Sequence, residues 1–468
     1  MFDCIGPVWY DILVHNENIP DSFYPKTYDR ERVMESYEIA VIGGGASGLA
    51  AAIAAARAGA SVCVIERLEL PGRKILATGN GRCNYTNRYI AAECYHSQNL
   101  DGVARVLQEF GSKTALEFFM TLGIVPRFRD DCAYPRSLQA ASVCQALLSE
   151  LAALRVAVRT RTRITHIRSI HSGFQLLAET YPLKPDTGKK KKKKIRADYS
   201  AKPELSRIQA QKVILACGGK ASPNLGSDGS GYDLASSFGH KILPVVPALN
   251  GLCCKEAFFG QISGVRVEGR VTLMVDGQEQ ASEYGEIQMT DTGISGIPVF
   301  QLCSMASYAL MEGRRTECVL DFFEEWTDKT LEDFFIQRFQ QMTGRDEQAF
   351  FNGLLPEKLM DLCVSLSGFH PVKNSLKHLS GSVKNFVRLL KHFPVTITDS
   401  RGFEQAQACA GGVPLNEVEL PYCASRRVPG LYITGEILDA DGRCGGYNLH
   451  WAWATGIQAG THAAQNIR

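Results

Sequence analysis

The run VIGGGASG, residues 41–48, constrains this chain more than any other stretch. YEIAVI, which leads into it, reads as a buried strand; ASGLAAAIAAARAG reads as an alanine-rich helix closed by Gly59; SVCVIE reads as a second buried strand. Gly43, Gly45 and Gly48 therefore fall between a strand and a helix. There the first glycine permits a tight turn, the second lets a pyrophosphate approach the backbone, and the third lets helix and sheet pack closely. The N–H groups of the first helical turn, at Ala46 and Ser47, complete an anion site. Glu66 ends the second strand, where a carboxylate accepts both hydroxyls of an adenosine ribose and repels a 2′-phosphate, even with Arg67 beside it. The unit is predicted to hold a dinucleotide that is not NADP.

Choosing between NAD and FAD needs a distant element, because the longer FAD requires a second strand-turn-helix to complete its pocket. GLYITGEILDADGRCGGYNLHWAWATG, residues 430–456, has that form. Gly435 and Glu436 end its strand, where Glu436 is placed for ribityl hydroxyls and Asp441 can add to it. Gly445 and Gly446 open the terminal helix, whose N–H groups near Tyr447 and Asn448 can face the flavin N1–C2=O edge. The strand QKVILACGG brings Gly218 to the same end of the sheet. GRKILATGNGRCNYTN, residues 72–87, follows the acid-bearing strand closely and lacks the GxxxxGK[ST] pattern of a P-loop. Its Lys74, Thr78, Gly79, Asn80, Gly81 and Asn84 are expected around the isoalloxazine. Lys74, Arg82 and Asn84 are the candidate catalytic groups, through charge on flavin or on an anionic substrate. His96, His240, His370, His378, His392 and His450 have no partner motif and read as core or surface histidines, as Cys83 and Cys444 read as packing thiols.

These segments, with AYPRSLQAASVCQALL and TDTGISGIPVFQL, resemble the successive motifs of a bacterial family of NAD(P)/FAD-dependent oxidoreductases. Some of its members are described as aminoacetone-oxidase-like and some as bile-acid-pathway flavin reductases. The resemblance runs from about Tyr37 to the C-terminus. It implies a Rossmann-like α/β FAD-binding domain, built on the GxGxxG βαβ unit and a β-meander, with an inserted small β-barrel-like domain and a helical domain. It also implies that Gly43, Gly45, Gly48 and Glu66 serve the adenosine diphosphate half, and that Ile164, on TRITHI, meets adenine through its backbone. The sequence departs from the pattern at AGGV, residues 410–413, where a further glycine is expected, and at Arg443 and Cys444; both departures touch the substrate side.

Periodicity along the chain gives an N-terminal extension over 1–36, ahead of a fold that begins near Tyr37. The FAD-binding domain is expected over 37–244 and 408–468, with a basic flexible insertion at 184–206. A β-barrel-like domain is expected over 245–300 and 394–407, with a helical domain over 301–393. The formal charge of +2 depends on the six lysines of residues 189–194, without which it would be negative, so no nucleic-acid partner is expected. Those lysines read as a solvated hairpin tip. Fifteen scattered cysteines with no CxxC point to reduced thiols in a cytoplasmic protein and exclude a redox-active CxxC beside the flavin. No metal-ligand spacing, secretory signal or membrane-length apolar run appears. The expected protein is an FAD-dependent oxidoreductase holding FAD non-covalently. It moves a hydride between a small organic substrate and flavin, with NADH, NADPH or oxygen as the other partner. A flavin-dependent RNA-modifying enzyme and a non-catalytic redox sensor are the alternatives.

Overall fold

The computed structural model of the protein describes residues 35–184, 197–342, 344–371 and 379–467. Nearly all of the N-terminal extension, the lysine run and His378 lie outside the described residues. The chain forms two units: one from residues 1–245 and 410–468, the other from residues 246–409.

In the first unit, β1 (Glu35–Ile42) leads to α1 (Ala46–Arg57) and β2 (Val62–Ile65), followed by the short helix α2 (Arg73–Ala77) and the two-residue strand β3 (Tyr95–His96). After α3 (Ala140–Ala153) come β4 (Ala157–Arg159), β5 (Thr162–Ile170), β6 (Gly173–Thr180) and β7 (Glu204–Leu215). The chain re-enters this unit through β8 (Leu431–Ile433), β9 (Asp441–Gly442) and the helix α4 (Tyr447–Gln465). Strands β8, β7, β1, β2 and β4 lie side by side and parallel, with Ile39 opposite Lys212 on one side and Val62 on the other. Strands β5 and β6 extend β7 as an antiparallel meander. The unbroken apolar runs of β1 and β2 suit a parallel sheet buried on both faces, and Ile39 to Val41 and Cys63 to Val64 are fully buried.

Small residues set how close α4 comes to α1. A Cβ built on Gly456 would lie 2.3 Å from the Ser47 carbonyl oxygen, and one on Gly460 would lie 2.2 Å from that of Ala51. No side chain fits there, so the C-terminal helix is held against the first one by backbone contact. Two helices, Leu100–Glu109 and Ser112–Thr121, are separated where Phe110 turns into the core and Gly111 is extended.

The second unit is a closed six-stranded barrel of Leu252–Cys254, Arg266–Val275, Gln278–Met289, Gly293–Ser295, Thr316–Asp321 and Phe393–Ser400, with helices packed around a phenylalanine-rich core. Asp276 and Gly277, at φ 51° and 77°, make the tight hairpin turn that their sequence signals. The span 301–393 is not wholly helical. Thr316–Asp321 buries alternate residues and completes the barrel, and the helix Ile297–Met311 begins before that span. A six-residue alternation flanked by long helices is too short to outweigh them in a periodicity count.

Candidate cofactor site

The loop after β1 is shaped by what its glycines exclude. A Cβ on Gly43 would lie 2.3 Å from the Ala216 carbonyl oxygen, and one on Gly48 would lie 1.9 Å from that of Gly43. Both positions are closed by the protein's own backbone. A Cβ on Gly45 meets nothing within 4 Å, so between the two closed positions lies an open cradle at the N-terminus of α1. Ala46 and Ser47 form the first turn there, and the Ser47 hydroxyl lies against Gly435. At the end of β2, Glu66 is buried and accepts backbone N–H bonds from Gly44 and Leu68, each at 2.8 Å. Burial pushes its carboxyl pKa up, against the two N–H bonds that favour the charged form. Arg67, beside Glu66, pairs with Asp228, and its Nη2 reaches the Pro223 carbonyl. Ile164 is buried on β5.

Two segments far apart in sequence meet beside the cradle. Lys74 Nζ of α2 lies 2.8 Å from Glu436 Oε2, which also accepts the Gly219 N–H at 3.4 Å, next to Gly218. After Thr78 the chain passes through Gly79, Asn80 and Gly81, all at positive φ and exposed; Arg82, at negative φ, is exposed too. It then dives inward at Cys83, which is fully buried. Asn84 comes to the N-terminus of α4, where a Cβ on Gly446 would lie 2.7 Å from Asn84 Oδ1. That oxygen is buried and has no hydrogen-bond partner. Gly446 caps α4 at φ 97°, and the Asn448 side chain both accepts from and donates to the backbone of Gly442, at 2.9 and 2.7 Å. Tyr447 stands between them, its carbonyl bonded to the Tyr95 hydroxyl at 3.0 Å.

The sequence signals gave no hint of several partners. Asn87, inside the quoted loop, donates to the Gly445 carbonyl at 3.0 Å. Cys132 approaches that same carbonyl, so Cys444 has a second thiol in its neighbourhood. Burial raises the pKa of both thiols, which leaves them protonated and poorly nucleophilic. Asp441 pairs with His96, its Oδ2 lying 3.1 Å from Nδ1, as β9 pairs with β3. His450 is wholly buried between the Thr86 hydroxyl and the Phe110 carbonyl, and desolvation lowers its pKa to about 4. His240 lies between Glu417, at 3.0 Å, and Ser425, at 2.8 Å. This has the order of a serine-histidine-carboxylate triad, but the Ser425 oxygen already accepts the N–H groups of Arg427 and Val428 and the imidazole is buried, so the trio is a structural tie.

FAD is tested against this donor set by two features. The open position at Gly45 lies where a diphosphate would sit, beside Glu66 for the ribose. The orphaned Asn84 oxygen, at the N-terminus of α4, lies where the polar edge of a flavin would find an acceptor. The residues fit the group. Among the described residues no cluster of three or more metal-ligating side chains occurs, and no helix is long and apolar enough to cross a membrane.

The family described as "HI0933-like protein Rossmann domain" matches residues 37–462. A 3-dehydro-bile acid delta(4,6)-reductase of Clostridium scindens is 42% identical over 429 residues, covering 91% of this chain and 99% of that protein. A ribosomal RNA dihydrouridine synthase of Escherichia coli is 28% identical, covering 90% of this chain and 96% of that one. Among solved structures, a 3-ketosteroid-delta4-(5alpha)-dehydrogenase of Rhodococcus jostii aligns with a TM-score of 0.46 at 16% identity, over 94% of this chain and 99% of that one.

Proposed function

The chain belongs to the HI0933-like Rossmann-domain family and is a flavoprotein oxidoreductase; from that premise we propose that it reduces a carbon–carbon double bond conjugated to a carbonyl in a small organic molecule. The observation that carries the FAD half of this reading is the open cradle at Gly45, with Glu66 at one end and the Asn84 and Gly446 pair at the other. The substrate class rests on what two relatives have in common. One is named for reducing delta(4,6) unsaturation in a 3-dehydro bile acid and the other for making dihydrouridine, and each name describes saturation of a double bond conjugated to a carbonyl.

When bound, FAD would supply two-electron hydride chemistry. The protein's own share is placement and charge. Glu66 and the first turn of α1 would hold the adenosine diphosphate, with Ile164 toward the adenine. Lys74 and Glu436, already paired, would present one charge each to the ribityl chain and the ring. The N-terminus of α4, at Tyr447 and Asn448, would stabilise negative charge on the reduced ring, as a helix dipole does. NADH or NADPH is the proposed electron donor.

Anaerobic titration with NADH and NADPH, followed by addition of a 3-oxo-4,6-diene steroid, tests the reading. Bleaching of the flavin band by one nicotinamide and its return with the steroid is the expected result. A reduced flavin that is reoxidised by uridine-containing ribosomal RNA and not by the steroid would move the substrate class to RNA. One reoxidised by neither would overturn the double-bond reading.

A further inference from the structure

We propose that the two flanks of the lysine-bearing insertion form a clamp on the turn that carries Glu66, coupling the insertion to the adenosine half of the cofactor site; the inference rests on the reading of Glu66 as the ribose acid. Glu66 can accept ribose hydroxyls only while the residues after it keep the course that turns its carboxylate toward the cradle, where Gly44 and Leu68 donate to it. That stretch, residues 66–69, has no helix or strand of its own. It lies between β2, which ends at Ile65, and α2, which starts at Arg73. Its backbone groups therefore need partners from elsewhere in the chain.

Two pieces of chain supply them. On one side the Glu66 carbonyl accepts the Thr162 N–H at 2.9 Å, and the Leu68 carbonyl accepts the Arg161 N–H at 2.8 Å. Arg161 sits at φ 56°, a left-handed conformation that a residue with a side chain keeps only where its surroundings impose it. On the other side the Tyr199 hydroxyl donates to the Arg67 carbonyl at 2.9 Å, and the Ala197 N–H donates to the Glu69 carboxylate at 2.5 Å. The Glu69 side chain is 7% exposed and Ala197 is buried, so this second bond is shielded from water. The two sides also hold each other. Tyr181 donates its N–H to the Arg161 carbonyl at 2.9 Å and accepts the Arg161 guanidinium on its own carbonyl at 2.7 Å. Leu183 pairs with Ala197 in an antiparallel bridge, the Asp198 N–H donates to the Pro182 carbonyl at 2.8 Å, and the Tyr181 and Tyr199 rings lie 5.1 Å apart. The chain entering the insertion and the chain leaving it are thus tied to one another and to the residues that follow Glu66.

Tyr199, Ala197 and Glu69 are positioning residues: their bonds end on the turn and act on the cofactor through Glu66. The clamp therefore serves the adenosine half of FAD, and a flavin without adenosine gains nothing from it. By reciprocity, whatever factor the closed clamp adds to FAD affinity, bound FAD adds to the closure of the clamp. The bond from Tyr199 goes to the Arg67 backbone, so the clamp does not depend on the Arg67 side chain, which is committed to Asp228.

The test compares full-length wild type, the double variant Y199F/E69A, the conservative variant E69Q, and a chain in which residues 185–196 are replaced by a short glycine turn. Each apoprotein is titrated with FAD and with FMN, which lacks the adenosine. Y199F/E69A is expected to bind FAD about 10-fold more weakly with FMN affinity unchanged. E69Q, which keeps an acceptor for Ala197, and the shortened chain, which keeps both flanks, should stay within about 2-fold of wild type for both flavins. Unchanged FAD affinity in the double variant, or equal weakening of FAD and FMN, would overturn the proposal. Should the double variant not fold, Y199F alone is expected to weaken FAD by about 3-fold with FMN unchanged, and equal loss of both again overturns it. A wild-type chain that takes up no FAD would count against the FAD reading instead, and hydrogen exchange of the folded apoprotein then decides for the clamp. The Leu68 amide, which donates to Glu66, should exchange about 10-fold faster in Y199F/E69A than in wild type, or in Y199F if the double variant does not fold, while the Val41 amide of β1 does not change. Wild-type protection of Leu68 in the variant would overturn the proposal independently of any cofactor.

Discussion

The two ends of the proposed cofactor site are built in different ways. The proposed diphosphate end comes mostly from the stretch Gly43 to Glu66 and is closed by close backbone approach, Gly48 against Gly43 and Gly43 against Ala216, with the Gly44 N–H on the Glu66 carboxylate. The proposed flavin end comes from segments 362 residues apart and is joined by side chains, Lys74 to Glu436 and Asn87 to Gly445, with Asn84 lying beside Gly446. The first end should therefore tolerate almost no added atom, and the second should fail by graded loss of affinity.

The sharpest way to break that contrast lies within one motif. Gly48→Ala drives a methyl into a carbonyl 1.9 Å away and is expected to abolish soluble folded protein or to cost about 4 kcal/mol or more in urea unfolding. Gly45→Ala meets nothing within 4 Å, so its apoprotein should unfold at the same midpoint as the wild-type apoprotein while FAD is lost on gel filtration. Equal destabilisation by both would remove the distinction between a packing glycine and a ligand glycine.

Next in size is the buried histidine that pins α4 beside the flavin end. His450 has a folded pKa lowered to about 4, below an unfolded value near 6.5, so the unfolded chain binds the extra proton first. Its contribution is present above pH ~6.5 and is lost as pH falls towards 4, by up to about 3 kcal/mol. Urea unfolding of the apoprotein between pH 7 and pH 4.5 should show this slope, and His450→Gln should flatten it.

At the flavin end itself, Glu436→Gln removes a charge from the 2.8 Å pair with Lys74, both partners being partly exposed. FAD affinity should drop by about 10- to 30-fold, equivalent to ~1.4 to 2 kcal/mol, measured by fluorescence titration of apoprotein. The smallest effect is expected at Arg67, whose side chain is committed to Asp228: Arg67→Ala should change stability by about 1 kcal/mol or less, with FAD affinity near wild type. A large loss of FAD in that variant would return Arg67 to the cofactor contacts.

The same difference explains what could be read from the sequence. The α/β class and the strand-turn-helix-strand unit were legible because every constraint on them is local: spacing of glycines, apolar runs, an acid at a strand end. The second strand-turn-helix was legible for the same reason, through Gly445 and Gly446. The pairings between distant segments were not. Nothing near Asp441 announces His96, 345 residues away, and nothing near Arg67 announces Asp228. The strand Thr316–Asp321 was hidden because barrel closure, a tertiary demand, decides its conformation against helical neighbours.

The central claim is that the Gly45 cradle and the distant Glu436-to-Asn448 segment hold one FAD. Its most direct test is the visible spectrum and FAD stoichiometry of the purified protein and of Gly45→Ala. The account predicts a flavin spectrum with about one FAD per wild-type chain, released intact on denaturation, and a folded, colourless Gly45→Ala protein. A folded wild-type chain that is colourless and takes up no FAD on reconstitution would contradict it.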